Sequence, residues 1–333
     1  MLFGVATVVF SILHLSPGDP AVIIAGRHAS DAQIAQIRTS LGLDDPIYIQ
    51  YGRFLLEAAQ FNFGESYKVQ AGKAIHEILL TKFPITIELA FYGQLFGILF
   101  GIPIGILGAV KQDSLIDHFT RIGALSGISI PIFWSGPLLI LLLSLWLNLL
   151  PTSGRIGIQY SAPAVTHLVT VDTLIYGIST SFKSGFSFEN FGAFVSASRH
   201  MILPAGVIGI YSMALISRMM RSSMLEVVRQ DYIRTARAKG QGAKITLMKH
   251  GFRNALIPVV TVIGIQFGTL IGGAVLTETV FGIGGIGTLL VQAVQVNDYP
   301  VVQGTVMAFA ILFTLVNLGV DITYSYLDPR IEQ

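Results

Sequence analysis

Five stretches of this sequence, residues 85–110, 122–147, 202–222, 255–280 and 301–324, each run for more than twenty residues with no more than two charged side chains. A helix needs about 20 mostly apolar residues to cross a hydrocarbon core ~30 Å thick. Composition agrees: 52% of the 333 residues are hydrophobic and only 12% are charged, where a soluble domain carries about 25%. Mean hydropathy is +0.67. The expected fold is all-α and polytopic, with each run a membrane helix.

A sixth apolar segment, residues 1–15, is short. At about 1.5 Å per residue it reaches roughly two-thirds of the core. It has neither the basic residues that precede the apolar run of a signal peptide nor a small-residue cleavage site. It reads instead as the end of a first transmembrane helix whose start precedes residue 1, which raises the expectation to six spans with both chain ends on one side. Residues 16–82 and 83–327 then divide into an extramembrane segment and a transmembrane domain.

Charge sets the orientation. Residues 218–253 hold nine of the 21 basic side chains, Arg218, Arg221, Arg229, Arg234, Arg237, Lys239, Lys244, Lys249 and Arg253, against two acids, Glu226 and Asp231. Residues 281–300 hold no Lys or Arg at all. Basic loops stay in the cytoplasm, so residues 16–82, 151–201 and 281–300 are expected outside. The first of these, with six basic and seven acidic residues, is long and obeys the charge rule only weakly.

Glycines punctuate the runs. Gly93, Gly97, Gly101 and Gly105 recur every fourth residue, as do Gly264, Gly268 and Gly272. Such stripes lie along one helix face and let backbones approach closely in lipid. They suit packing within the chain and equally a subunit interface. Pro103, Pro131 and Pro137 should kink or end local helix.

Several chemistries are missing from the pattern. Ion-coupled carriers place ionisable residues at mid-membrane depth; residues 122–147 have none, Asp321 falls toward the inner end of its span, and Glu88 and Glu278 fall near outer span ends, where solvation at the interface is the simplest account and structural or gating roles stay open. Gly282, Gly284 and Gly287 match G-x-G-x-x-G, yet they follow a span rather than a strand, so a turn at the membrane surface is expected rather than a dinucleotide site. There is no G-x-x-x-x-G-K-[ST] phosphate loop; if ATP is used, another chain hydrolyses it. His14, His28, His76, His118 and His250 show no H-E-x-x-H spacing, and the chain has no cysteine, which excludes disulfides and thiolate chemistry. A net charge of +2 offers no general field for nucleic acid.

The basic loop, residues 223–253, has its own architecture. Ser223 and Glu226 have the spacing of a capping box. Asp231 can cap a short helix over residues 232–239, Gly240 suits the left-handed position that ends it, and Arg237 and Lys239 complement its dipole. A further helix starts near Ala243. The short helix presents Tyr232, Thr235, Ala236 and Lys239 at three- and four-residue spacing. It is too short to persist alone in water, so it either docks on a partner or is a solvated loop whose charge sets topology.

These segments resemble the dipeptide/oligopeptide/nickel permease family of ABC importers. The resemblance rests on Pro17-Gly18-Asp19-Pro20, Leu41-Gly42-Leu43-Asp44, Phe63-Gly64-Glu65-Ser66-Tyr67, Arg221-Ser222-Ser223-Met224-Leu225-Glu226-Val227, Asp231-Tyr232-Ile233-Arg234-Thr235-Ala236-Arg237-Ala238-Lys239-Gly240, Asn297-Asp298-Tyr299-Pro300 and Asp328-Pro329-Arg330. It departs from the general cytoplasmic E-A-A-x-x-x-G signature at Arg234 and Thr235, keeping Ala236 and Gly240, and it has Gly284-Gly285 where the family has Pro-Gly. The resemblance implies a type I importer permease fold of six helices with a cytoplasmic coupling helix, in a bacterial inner membrane. It implies a transport subunit rather than an enzyme. A homologous second permease subunit, two ABC ATPases that hold ATP and Mg2+, and an extracytoplasmic solute-binding protein would be its partners. Asp231, Tyr232, Arg234, Thr235, Ala236, Lys239 and Gly240 would engage an ATPase. Ser126, Ser129, Trp134 and Ser135 would line the pathway. Peptides are the expected cargo, with nickel chelates and glutathione as family alternatives; an ion-coupled secondary carrier is the rival from another class.

Overall fold

Fourteen α-helices organise the described residues, which are 2–15, 20–25, 29–40 and 42–327 of a computed structural model. His28, Leu41, Pro17 to Asp19 and the closing Asp328-Pro329-Arg330 lie outside them. In chain order the helices are α1 Leu2–Leu15, α2 Pro20–Ala25, α3 Asp31–Ser40, α4 Ile47–Ala59, α5 Ile75–Val110, α6 Leu115–Ser129, α7 Ile132–Leu139, α8 Val169–Ser184, α9 Gly192–Val228, α10 Asp231–Ala238, α11 Ala243–Ile245, α12 Arg253–Phe281, α13 Ile286–Val296 and α14 Tyr299–Leu327. Wider π turns at Ile140–Trp146 and Thr246–Phe252 extend α7 and join α11 to α12. No strand occurs among the described residues; Glu65 and Ala74 form one isolated bridge.

Among the described residues, four helical stretches are long and apolar enough to span a membrane: Ile75–Val110, Phe188–Val228, Ala243–Phe281 and Tyr299–Val320. A fifth exists only as a bent pair, Leu115–Ser129 and Ile132–Trp146, turned by 106°. A single span over 122–147 is therefore not what forms. Ile130 precedes Pro131, whose ring disfavours the α region for its predecessor, and Ile130 is extended (φ −81°, ψ 120°). Pro137 lies within α7, and the helix widens into its π turn three residues later, as expected where a backbone donor is missing. Pro103, by contrast, is carried within α5. Leu2–Ser11 and Ile286–Val296 are shorter apolar helices among the described residues. Segments 16–82 and 151–201 are not mere loops, since α2, α3, α4 and α8 lie wholly within them and α5 and α9 start there.

The chain forms two compact units, the described parts of Met1–Pro84 with Gly284–Leu315, and of Ile85–Ile283 with Val316–Gln333. In the first, Ile75, Ile78, Leu79, Leu289, Ala293, Val301 and Ala308 share one core. Gly304 is pressed against Ile75 and Phe63, so that a Cβ there would stand 2.6 Å from Ile75 Cγ2.

The second unit is built on α9. Gly93, Gly97, Gly101 and Gly105 of α5 all face it. A Cβ at Gly97 would lie 2.6 Å from Ser212 Oγ and 3.1 Å from the Met213 amide, one at Gly101 2.9 Å from the Met213 carbonyl, and one at Gly105 2.6 Å from the Ser217 carbonyl. Gly93 meets Ile208 in the same way. The second stripe is not continuous: Gly264 abuts Val320 of α14, Gly268 is buried, and Gly272 has open space where a side chain would be. Ile216, Met220 and Met224 of α9 also pack with Ala255 and Val259 of α12.

Glu88 and Glu278 at the span ends are buried, which corrects the expectation of interface solvation, and the side chain of Asp321 lies outside the described residues. Glu88 is 4% and Glu278 0% exposed. Helix α8 starts after Leu168, a residue whose side chain cannot cap, and Glu88 of α5 supplies the cap. Its carboxylate accepts from the amides of Val169 (3.1 Å) and Thr170 (2.8 Å), from Thr170 Oγ1 (2.6 Å) and from Arg155 Nη2 (2.8 Å). Glu278 of α12 accepts from Thr86 Oγ1 of α5. Asp117, at the start of α6, is fully buried and takes both Nε (2.6 Å) and Nη2 (2.7 Å) of Arg221. Arg221 is thus an internal partner rather than a free topological charge.

Forcing side chains into the α5–α9 contact should cost about 1–3 kcal/mol or more per site. Gly97→Val and Gly101→Val are expected to lower the thermal midpoint of the detergent-solubilised chain by several degrees, whereas Gly272→Ala leaves it unchanged or raises it slightly.

Candidate functional site

The densest group of sequence-nominated residues is the elbow between α9 and α12. Helix α9 runs without a break to Val228, with Ser223 buried inside it at 6% exposure. Ser223 is therefore no cap: Met224 and Val227 continue the apolar face into the core, and the helix follows them. It stops at Arg229, whose amide bonds back to Glu226 and Val227. Gln230 then adopts an extended conformation (φ −70°, ψ 151°) and opens α10 without a side-chain cap. Asp231, expected as the cap, is the first helical residue. It still complements the positive end of the helix, but its pairing with Arg234 at 3.6 Å is fully solvated, at 95% and 76% exposure, and such pairs contribute little.

The end of α10 closes as its sequence predicts. Gly240 is left-handed at φ +83°, the Gly240 amide reaches the Arg237 carbonyl (2.9 Å) and the Gln241 amide reaches that of Ala236 (3.2 Å). This pair of bonds is the Schellman closure.

What holds α10 in place is Ile233, at 1% exposure. The expected face of Tyr232, Thr235, Ala236 and Lys239 is instead largely outward. Asp231, Tyr232, Arg234, Thr235, Lys239 and Gly240 are exposed and Ala236 is half-buried. Tyr232 is tethered at its tip, where its hydroxyl accepts from Asn254 Nδ2 (3.0 Å), which also donates to the His250 carbonyl (2.9 Å). His250 Nε2 in turn meets Gln241 Oε1 at 2.9 Å. The π turn beneath carries Leu247 and Phe252 into the α9–α12 core, and Gly251 lies over Met224. A short, cationic, largely outward-facing helix is thus tied to α12 through Tyr232 and followed by a π turn that packs on the α9–α12 core. The sequence signal for Ile233 is that it is the one large aliphatic residue between Gln230 and Gly242.

The nominated pathway residues gather at the α6–α7 break. Ser126, Ser129 and Trp134 are exposed, Trp134 at 53%. Ser135 is half-buried and donates to the Ile132 carbonyl (3.1 Å).

The segments around Ser66 and Asp298, far apart in sequence, meet in the first unit. Asp298, fully buried, accepts from Ser66 Oγ (2.7 Å) and from the amides of Tyr67 (3.3 Å), Lys68 (2.9 Å) and Val69 (2.9 Å). Burial alone would raise its pKa, but the Val69 amide, the Ser66 hydroxyl and the Lys68 and Tyr67 amides together hold it below the ordinary value. Burial, and the negative charge of Asp298 and Glu65, push the Tyr67 phenol up. Asn297, left-handed at φ +56°, turns the chain out of α13 to place this carboxylate.

Chains of known relationship agree with this architecture. Residues 101–333 match the binding-protein-dependent transport system inner membrane component, and residues 1–90 match the N-terminal part of binding-protein-dependent transport system membrane components. The chain belongs to this family of ABC importer permease subunits. Among its relatives, the di/tripeptide transport system permease protein DppB of Pseudomonas aeruginosa (strain UCBPP-PA14) is 44% identical over 330 residues, covering 99% of this chain and 94% of that protein. The dipeptide transport system permease protein DppB of Escherichia coli (strain K12) is 44% identical over 334 residues, 98% and 94% of the two chains. The protein of the same description from Alkalihalophilus pseudofirmus is 41% identical over 332 residues, 100% and 96%. The fold is that of the inward-facing MetNI methionine ABC transporter in its CY5 native crystal form, with a TM-score of 0.55 over 76% of this chain and 98% of that one at 17% identity.

Removing the anchor of α10 should free it without disturbing the spans. Ile233→Ala is expected to cost locally about 2–5 kcal/mol, read as faster amide hydrogen exchange over residues 231–241 with exchange in α9 and α12 unchanged. The bonds to Asp298 favour its ionised form, so their stabilisation is complete above about pH 4 and is lost as pH falls through the lower folded value. Exchange at Lys68 and Val69 should accelerate in that acid window, and Asp298→Asn should remove the pH dependence.

Proposed function

We propose that this chain is the membrane-spanning subunit of an ATP-driven, binding-protein-dependent importer of di- and oligopeptides in a bacterial inner membrane. The observation that carries the reading is the end-to-end similarity to di/tripeptide and dipeptide permeases at 44% identity. In this reading a homologous permease subunit completes the pathway, and an extracytoplasmic binding protein delivers the peptide. Two ABC ATPases hold ATP and Mg2+ and perform the hydrolysis. Both termini are cytoplasmic, on the side of the basic loop.

The elbow is the point of coupling. Arg234, Thr235 and Lys239 are exposed for docking in an ATPase cleft, while Ile233 is buried and the Tyr232–Asn254 bond fastens α10 to α12. When ATP closes the ATPase pair, a helix seated in the cleft moves with it. Because α10 cannot slide on its base, the displacement passes to α9 and α12 and shifts the bundle between inward- and outward-open states. The hydroxyls of Ser126 and Ser129 and the indole of Trp134, at the bend between α6 and α7, offer weak contacts to a passing peptide.

Gly240→Val tests the coupling role. There is open space around Gly240, so the substitution acts through the left-handed backbone, at about 1–3 kcal/mol. In proteoliposomes of the assembled transporter, peptide uptake and peptide-stimulated ATPase activity should fall by about tenfold, with normal membrane insertion. Gly240→Asn, which tolerates this conformation, should retain most activity. Normal uptake and normal stimulated hydrolysis by Gly240→Val would refute the assignment.

A further inference from the structure

A groove of about 300 Å³ runs between α5, α6 and α9, with Arg121, Ala124, Leu125 and Ile128 of α6 and Arg218 and Ser222 of α9 in its walls. Its two ends differ. Arg121 and Arg218 stand at one end, and along α6 the wall becomes Ala124, Leu125 and Ile128. Ile128 lies seven residues beyond Arg121, about 10 Å along the helix axis. Arg221 is committed to Asp117. Among the described residues Arg121 and Arg218 form neither an ion pair nor a side-chain hydrogen bond, although Arg121 feels the charge of Asp117. With Asp113, which also acts on Arg221, the local balance is one net positive charge. The outer face of α6 is apolar and open: Leu115, Phe119, Ile122 and Leu125 are 78%, 73%, 60% and 59% exposed at three- and four-residue spacing. Leu125 belongs to both this stripe and the groove.

We propose that the groove is a binding site for an anionic phospholipid. The guanidinium groups of Arg121 and Arg218 take the phosphate, which suits their planar fork, and the exposed Ser222 stands beside them. The acyl chains follow Ala124, Leu125 and Ile128 into the bilayer along the exposed stripe. Basic pockets between helices near a membrane face recognise lipid headgroups in this manner. A free anion would leave the apolar wall uncovered, and a zwitterionic lipid would leave the net positive charge unmatched. The lipid would bridge α6 and α9 beside the Asp117–Arg221 pair, steadying the helix that leads into the bend.

The full chain in neutral detergent, titrated with dioleoylphosphatidylglycerol or dioleoylphosphatidylcholine, provides the test, with bound lipid counted by native mass spectrometry. Phosphatidylglycerol should be retained about tenfold more strongly than phosphatidylcholine, and inorganic phosphate at millimolar concentration should not displace it. The doubly substituted R121Q/R218Q chain, checked for unchanged helix content by circular dichroism, should lose the preference, and R121K/R218K should keep part of it. Ala124→Trp, which fills the groove with both arginines intact, should lower retention independently of charge. Equal retention of the two lipids by the unaltered chain would overturn the proposal and leave the groove to a protein neighbour. Displacement by phosphate would overturn it in favour of a free-anion site, and undiminished phosphatidylglycerol binding by R121Q/R218Q would overturn it as well.

Discussion

Helix α5 can lie on α9 only because four of its residues have no side chain. In lipid there is no hydrophobic gain from bringing two apolar helices together, since the acyl chains are as apolar as leucine. Association depends on dispersion contacts at close range, and these require that backbone meet side chain directly. With Ser212 Oγ and the Met213 and Ser217 backbones standing within about 3 Å of where Cβ atoms would be, any residue larger than glycine at Gly97, Gly101 or Gly105 separates the pair. The position of α9 then sets the place of everything that packs on it: α6 through Asp117 and Arg221, α12 through Met220, Met224, Ala255 and Val259, and α10 at its end.

In each unit the buried carboxylates are met by donors. Glu88 receives four bonds from Arg155, Val169 and Thr170; Asp298 receives four from Ser66 to Val69; Asp117 holds a bidentate arginine. A buried charge without partners is very costly, and a buried ion pair is itself weak evidence for stability. What these carboxylates add is location. Each ties one helix end to one particular loop or helix, where apolar packing in a membrane would tolerate sliding.

The elbow follows the same division of labour. One aliphatic residue, Ile233, and one tyrosine tip hold α10 down, and the remaining side chains stand clear. An element meant to transmit displacement needs a stiff base and a free outer face, and the long helices α9 and α12 provide the base. The wider turn at Thr246–Phe252 lets the chain come back from α10 and still enter α12 in register with Met224.

Much of this was written in residue order. Runs of about twenty residues with at most two charges are suited to membrane helices, so the all-α fold and four of the spans followed from hydropathy alone, while the fifth run forms a bent pair. The same holds for the stop at Gly240, because a left-handed glycine after a cationic turn is a local signal that needs no neighbour. Local rules failed where a distant partner supplied the missing group. Asp231 and Ser223 looked like caps, but Gln230 opens α10 and α9 simply continues, since the apolar face beyond Ser223 gains more from the core than a cap would provide. Glu88, Glu278, Asp117 and Asp298 gave no sign in the sequence of being buried, because their partners lie 67 to 232 residues away. The bend at Ile130 was half legible in Pro131, though not its 106°. Secondary structure and membrane insertion depend on interactions within about one helical turn or on summed transfer energy, and both are properties of the linear chain. Which acid meets which amide, and which glycine faces a neighbour rather than open space, depends on contacts that exist only once the helices have packed.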